Sequence, residues 1–242
     1  IFLFSTNCFS TPLINDRDVS IGIGLGAIIS ENPYKKDGAR VIIFPGLSYR
    51  GKKFSFNGLQ LKMKAYQFYK TNLSITIQPK FGAYQENDST ILNGMGDRKI
   101  TGMVGCSLER RIAKFFNFQA DYQVDIFNRF NGGLANISMG TGYPIHRSTL
   151  LLSSVGINWL SSSITQYEVG IPIEKTAPNR PEYRPSSATN KLFNITSITT
   201  LNKRWSIISV LTQTFLDDEI KKSPLIQKNN TLSMVMAITY TL

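Results

Sequence analysis

The chain has little cysteine, little histidine and no long apolar run. Its 242 residues contain two cysteines and one histidine. This set cannot build a disulfide framework or a zinc site, so we expect no metal and no cofactor. No stretch approaches the roughly 18 consecutive apolar residues of a transmembrane helix, which excludes a helical inner-membrane protein. No proline-rich or low-complexity linker divides the sequence, and this favours one domain.

A two-residue alternation is present instead. From Leu232 to Leu242, bulky apolar side chains occupy the even positions, and small or polar ones occupy most odd positions, with Val235 as the exception. Such a segment is typical of a strand that crosses a membrane within a β-barrel, with its apolar face toward lipid and its polar face toward the lumen. The segment therefore indicates an outer-membrane protein.

The same alternation recurs along the chain, most clearly at 116–126. There Phe116, Tyr122 and Val124 share one face, while acids and amides occupy the other. A row of such polar groups cannot face hydrocarbon, so it is expected to face the lumen. The predicted lumen-facing polar residues are Lys62, Lys64, Lys80, Gln119, Asp121, Gln123 and Asp125. We also expect Asp121 and Asp125 to oppose some of these lysines.

Turn residues between the alternating segments predict an all-β fold, a closed antiparallel transmembrane β-barrel of twelve strands. The predicted strands span 18–30, 40–50, 53–57, 59–68, 73–84, 98–110, 115–127, 133–143, 148–160, 189–200, 204–217 and 230–242. The segment 53–68 could instead be one strand bulged at Gly58. Twelve strands place both termini in the periplasm and all long connections outside the cell, as in known barrels. With eleven strands, the long and short connections do not separate in this way.

The predicted periplasmic turns are strongly basic. They carry ten cations against Glu109 alone: Arg50, Lys52, Lys53, Lys70, Arg110, Arg111, Lys114, Arg147, Lys203 and Arg204. These side chains could contact phosphates of the inner leaflet, so outer-membrane lipid and lipopolysaccharide are expected contacts. The other interpretation is a docking surface for an anionic periplasmic partner. Nucleic acid is not expected, because hairpin turns offer neither a stacking platform nor a groove-reading helix.

The N-terminal segment 1–17 differs from the remainder. It begins with apolar residues, continues with small ones around Cys8, and then becomes polar. This order is similar to the end of a secretory signal peptide. We expect 1–17 to be such a remnant or a periplasmic segment, and 18–242 to form the barrel.

Several segments together resemble the MipA/OmpV family of outer-membrane barrels. They are IGIGLG and FPGLSYRG within 21–51, LNGMGDRKITGMVG at 92–105, WLSSSITQYEVGI at 159–171, Ser223 with Pro224, and the closing MAITYTL. The resemblance implies a non-enzymatic envelope protein in the bacterial outer membrane. It further implies a scaffold that links a murein transglycosylase to a peptidoglycan synthase, or an adhesin, or a porin-like channel for small solutes.

An outer-membrane lipid hydrolase is the remote alternative. Such an enzyme needs a serine with a histidine base in the outer half of the barrel. The single histidine, His146, lies in a predicted periplasmic turn with Ser148 two residues away. We therefore expect no catalytic residues. The sequence LNGMGDR lacks the ending of a phosphate-binding loop, and we interpret it as a surface loop that returns to a strand at Asp97 or Arg98.

Overall fold

The structure, a computed structural model, describes residues 19–34, 38–113 and 116–242. Within these ranges the chain forms twelve strands and two short α-helices. The strands are β1 (Ser20–Glu31), β2 (Ala39–Arg50), β3 (Phe54–Asn57), β4 (Gln60–Phe68), β5 (Thr71–Lys80), β6 (Thr101–Arg111), β7 (Phe116–Asp125), β8 (Gly133–His146), β9 (Thr149–Leu160), β10 (Ala188–Thr200), β11 (Trp205–Phe215) and β12 (Asn230–Thr241). The helices are α1 (Ser162–Val169) and α2 (Asp218–Lys221).

Each strand pairs antiparallel with its neighbours in sequence, and β1 pairs with β12 to close the barrel. The predicted closed barrel of twelve strands is confirmed. At the uncertain segment, β3 and β4 form a separate hairpin whose turn contains Gly58 with φ +64. Because glycine adopts positive φ without steric cost, the phase change at this residue marks a turn and not a bulge.

The predicted bounds of β5 and β6 are wrong at one end. Residues 81–84 and 98–100 lie outside the sheet, since β5 ends at Lys80 and β6 begins at Thr101. The Arg98 amide still donates to the Tyr84 carbonyl at 3.0 Å, but the Tyr84 ring is fully buried among loop residues. Packing of the loops therefore ends the strands earlier than the alternation indicates.

Apolar side chains on the outer face define the membrane-spanning band. Aromatic residues border it near the chain termini (Tyr49, Tyr66, Phe68, Tyr143 and Trp205) and at the opposite end (Phe127, Phe193 and Phe215). Strand β11 has 11 residues, from Trp205 to Phe215. This span is about 33 Å along the strand and about 25 Å along the axis at a tilt of about 40°. The axial length of about 25 Å matches the height of the apolar band in outer-membrane barrels.

The connections at the end opposite the termini fold into a compact structure, here called the cap, formed by 81–100, 126–132, 161–187 and 216–229. Its buried cluster includes Tyr84, Leu92, Met95, Ile164 and Leu225, together with Tyr34 from the first connection. By the predicted orientation this is the extracellular end. None of the helices in the described ranges has the length and apolar character needed to span a membrane.

Candidate functional site

Polar side chains fill one side of the barrel interior. Gln119, Asp121, Gln123 and Asp125 of β7 are each less than a tenth exposed, and so is Lys80 of β5. Their outward neighbours on β7, such as Tyr122 at 47% and Phe116 at 54%, are exposed. Lys62 and Lys64 of β4 are partly buried. These seven residues therefore lie on strands β4, β5 and β7, around one arc of the wall.

A row of amide side chains connects these strands. The Gln60 amide donates to Gln78 at 2.7 Å, and the Gln78 amide donates to Gln123 at 3.0 Å. The row continues through Asp121, which accepts hydrogen bonds from Gln123 at 3.5 Å and from Asn136 at 2.8 Å. Asn158 of β9 ends the row by donating to Asn136 at 2.7 Å. Buried side chains that are hydrogen-bonded across strands in this way hold neighbouring strands in one register.

Glycine 105 makes this row possible. Strand β6 lies between β5 and β7, and its inward residue opposite Gln123 is Gly105. A Cβ atom at this position would be 2.7 Å from the Gln123 Cα and 2.8 Å from its Cγ. Only a residue without a side chain lets the two glutamines meet across the strand.

Two of the three lysines have partners other than the expected aspartates. Lys62 forms an ion pair with Glu109 of β6, and Lys80 forms one with Glu168 of α1. Asp125 accepts from the Thr101 hydroxyl and from the backbone amides of Phe127 at 3.1 Å and Phe130 at 2.9 Å. Lys62 and Lys80 are thus each paired with a glutamate. That Asp121 and Asp125 oppose some of the three lysines stays a prediction.

The opposite side of the interior is apolar. Its inward residues are Ile28, Phe44, Ile208, Val210, Val235 and Ala237, on β1, β2, β11 and β12. Together with Gln60 and Gln78 they line a space of about 870 Å³, part of it open to solvent. The lumen therefore has one polar and one apolar wall, whereas the alternation at 116–126 predicted only the polar one.

Arg180 binds the glycine turn of the cap. Its guanidinium donates to the carbonyls of Ile91, Asn93 at 2.8 Å and Lys175 at 3.0 Å, and the side chain is 6% exposed. Gly94, with φ +79, shapes the turn that presents two of these oxygens. The segment LNGMGDR is therefore part of the cap core, with Leu92 and Met95 fully buried, and the predicted return to a strand at Asp97 or Arg98 is wrong.

Two tyrosines lie at the centre of the cap. Tyr34 and Tyr84 pack edge to face with ring centroids 4.8 Å apart. Burial raises the pKa of Tyr84 to about 12, against the opposing effect of Arg98, whose guanidinium lies 4.9 Å from the ring centroid. Burial and the nearby Glu168 carboxylate raise the pKa of Tyr34 well above its usual value. Both phenols are therefore neutral over the physiological pH range.

The basic rim consists of the cations predicted at the turns near the termini. Nine of them lie in the described ranges and all nine are exposed, while Lys114 falls outside those ranges, as does the segment 1–17. No ion pair joins these nine to a carboxylate in the part of the chain that the structure describes. Glu109, the one acid near these turns, points inward to Lys62. Among the described residues, the exposed charged side chains of the rim are thus all positive.

His146 and Ser148 are in contact at this same end. The His146 Nδ1 atom lies 3.0 Å from the Ser148 hydroxyl and also accepts the Ser148 backbone amide at 3.3 Å. His146 ends β8 and is exposed. A nitrogen that already accepts a backbone amide serves as a turn acceptor, and no described carboxylate orients the ring. The described residues also contain no group of three or more metal-ligating side chains.

The chain is similar to known proteins over most of its length. The chain matches the family described as "MltA-interacting protein MipA" over residues 23–242. It is 24% identical to the "MltA-interacting protein" of Escherichia coli strain K12 over 224 residues, which cover 91% of this chain and 89% of that protein. It is 22% identical to the "Putative outer membrane protein YiaT" of the same strain, with 96% and 95% covered.

Solved outer-membrane barrels are also similar in outline. The NanC porin has a TM-score of 0.41 at 9% identity and covers 93% of this chain and 100% of its own. The outer membrane channel DcaP of Acinetobacter baumannii has the same TM-score and identity. The family match over residues 23–242 carries the assignment: this chain belongs to the MltA-interacting protein MipA family and is a β-barrel of the bacterial outer membrane.

Proposed function

We propose that this barrel is a non-enzymatic scaffold that binds a murein-remodelling enzyme at the periplasmic face of the outer membrane. The single observation that carries the proposal is the basic rim, whose nine described cations are exposed and form no ion pair within the described ranges. A related protein of E. coli is named for its interaction with MltA, so a murein transglycosylase is the expected first partner. A peptidoglycan synthase is the expected second.

The rim contains two kinds of cation. Arg204 lies at the level of the aromatic border, where it donates to the Tyr240 hydroxyl at 2.7 Å beside Trp205. Such a residue suits contact with lipid phosphates. Lys52, Lys53, Arg147 and Lys203 also lie on turns beyond the strand ends, but unlike Arg204 and Lys70 they contact no aromatic ring in the described ranges. These four are the cations best placed to meet a soluble partner.

The test replaces these four cations with glutamine. Exposed charge pairs contribute about 0–1 kcal/mol each, so only the group is expected to have a measurable effect. A matched control replaces Lys99, Arg129, Arg184 and Lys222, which are exposed at the cap end and carry the same total charge. Purified barrels in lipid nanodiscs are titrated with a lytic transglycosylase at low and at physiological salt.

We expect the rim variant to bind more weakly than the parent, with the larger difference at low salt, where screening is least. The cap control should bind like the parent. Equal binding by all three proteins at low salt would show that the rim contacts only lipid headgroups. Equal loss in both variants would show that net charge, and not the rim, attracts the enzyme.

A porin-like channel is the second candidate, because the barrel interior contains a cavity of about 90 Å³ beside a polar wall. The cap argues against a channel, because its cluster of buried side chains lies across the end of the barrel opposite the termini. Conductance in planar bilayers distinguishes the two functions. A scaffold with a packed cap gives no steady conductance, whereas a channel conducts without any partner.

A further inference from the structure

The barrel wall contains a gap beside the β3–β4 hairpin. Strand β2 has 12 residues but pairs with β3 only at Ser48, Tyr49 and Arg50. On the other side, pairing between β4 and β5 ends at Leu61 and Ile77. The rest of β2, residues 39–47, has no strand partner on this side among the described residues. In the part of the chain that the structure describes, the wall is therefore open between β2 and β5, above the turn at Gly58.

The gap has defined edges. Strands β3 and β4 end at the turn. At this level β2 and β5 are therefore separated by three strand spacings, or about 14 Å. Farther along, Arg40 of β2 donates to the Gly82 carbonyl at 3.0 Å and closes the opening at the cap. Both flanking strands carry a proline here, Pro45 and Pro79. Proline cannot donate to a ladder and is found at strand edges, so the sequence itself is suited to an unpaired edge.

The gap lies within the apolar band of the outer surface. The β2 residues beside it, Val41 and Ile43, are 57% and 69% exposed, and Ile77 on β5 is 45% exposed. These side chains contact lipid in a membrane-embedded barrel. Unpaired backbone at this depth is tolerated only where it lines a cavity, and a cavity lies directly behind the gap.

That cavity joins the gap to the apolar wall of the lumen. Phe44, Leu47, Leu59 and Phe81 line its entrance, and Ile28, Val210, Val235 and Ala237 line its far side. The Phe44 ring lies over Gly26, where a Cβ atom would be 2.6 Å from its Cε2 atom. Glycine thus lets the ring fold against the wall and leaves the entrance free. The water-accessible volume of the cavity is about 90 Å³, and the larger space of about 870 Å³ around it includes open solvent.

We propose that one acyl chain of a membrane lipid enters through this gap and occupies the cavity. The lining is mostly apolar and continuous with the lipid-facing surface, so a hydrocarbon chain can enter along apolar side chains. An empty cavity of this kind forfeits dispersion contacts, which an acyl chain restores. The polar headgroup remains at the membrane surface, because nothing on the far side of the cavity could solvate a charge.

The test uses the full chain reconstituted in liposomes of phosphatidylethanolamine that include a fraction of the same lipid with a photoreactive diazirine in one acyl chain. After irradiation, mass spectrometry locates the labelled residues. We expect labels on inward residues of β11 and β12, such as Val210 and Val235, in addition to outward ones. Labels on outward residues alone would overturn the proposal.

Two neighbouring substitutions sharpen the result. Ala237→Trp fills the cavity, whereas Ile238→Trp places the same ring on the lipid face of the same strand. Inward labelling should be lost in Ala237→Trp and retained in Ile238→Trp. If a heat-shift gel shows that Ala237→Trp does not fold, Val210→Phe takes its place. Equal inward labelling in both variants contradicts the proposal. Inward labelling by a photoreactive free fatty acid but not by the phospholipid would refute the membrane lipid as the source.

Discussion

Lys80 of β5 and Glu168 of α1 form an ion pair in the mouth of the barrel, with side chains only 9% and 4% exposed. The Tyr34 hydroxyl also donates to the Glu168 backbone carbonyl at 3.3 Å. One helix of the longest connection is therefore attached to the barrel wall and to the first connection. This contact joins the cap to the barrel.

The first prediction concerns this pair. Removing one partner of a buried pair leaves an uncompensated charge and costs about 3–5 kcal/mol, whereas replacing both by apolar residues is often close to neutral. We expect Glu168→Gln to destabilise the cap strongly and Lys80→Met with Glu168→Leu to destabilise it less. Hydrogen exchange of the α1 amides measures the effect directly.

The control for this experiment is Glu182→Gln, which removes an exposed ion pair with Arg184. Exposed pairs contribute about 0–1 kcal/mol, so exchange in α1 should stay as in the parent. If the α1 amides of the double variant exchanged as fast as those of Glu168→Gln, the cap would be destabilised by lost packing and not by the unpaired charge.

The sequence allowed the barrel to be predicted because lipid imposes one face on every spanning strand. Phe116, Tyr122 and Val124 are outward for this reason, and Gly58 marks a turn because it takes a positive φ. Periodicity gives the direction of a side chain but not its partner. Lys62 and Glu109 are 47 residues apart in sequence, and nothing in the alternation selects that pair over an aspartate of β7.

The cap could not be predicted for a different reason. Its buried residues come from four separate connections, joined by Tyr34 of a fifth, and outside 81–84 and 98–100 these segments do not alternate. Leu92 and Met95 stand among glycines and polar residues that are typical of an exposed turn. The turn they belong to is hydrogen-bonded by Arg180, which is 89 residues from Ile91 in sequence. Such long-range contacts leave no local signal.

The second prediction concerns alkaline pH. The pKa of Tyr84 is raised to about 12, so above the ordinary value near 10 the unfolded state loses its proton first. The contribution of Tyr84 to stability is therefore complete below about pH 10 and falls by about 1.4 kcal/mol per pH unit toward pH 12. We expect Tyr84→Phe to flatten this fall when urea unfolding is followed across that pH range.

At pH 8 the same substitution should be nearly neutral or slightly stabilising. The Tyr84 hydroxyl is buried and has no hydrogen-bond partner among the described residues, so its removal leaves no group unsatisfied. A large loss of stability at pH 8 would mean that the hydroxyl has a bound partner, such as an ordered water.

The third prediction compares two glycines of β6. A Cβ atom at Gly105 would lie 1.9 Å from the Tyr122 backbone oxygen and 2.7 Å from the Gln123 Cα, whereas at Gly102 its nearest contacts would be side-chain atoms of Ile126 and Phe127 at 3.0 Å. We expect Gly105→Ala to reduce the yield of folded barrel and Gly102→Ala to leave it nearly unchanged. Heat-shift electrophoresis after refolding measures the folded fraction. Equal yields would show that the row of amides does not control the register of β6.

The last prediction concerns Arg180 and the turn around Gly94. The guanidinium reaches three carbonyls, and a lysine ammonium is a point charge that cannot reproduce this planar arrangement. Arg180→Lys is therefore expected to leave buried carbonyls unsatisfied, at about 1–3 kcal/mol each. Hydrogen exchange should become faster at 91–95 while the amides of β7 remain protected. Arg184→Lys, at an exposed cap position, should change neither region. Unchanged exchange at 91–95 in Arg180→Lys would show that the turn is held by the burial of Leu92 and Met95 alone.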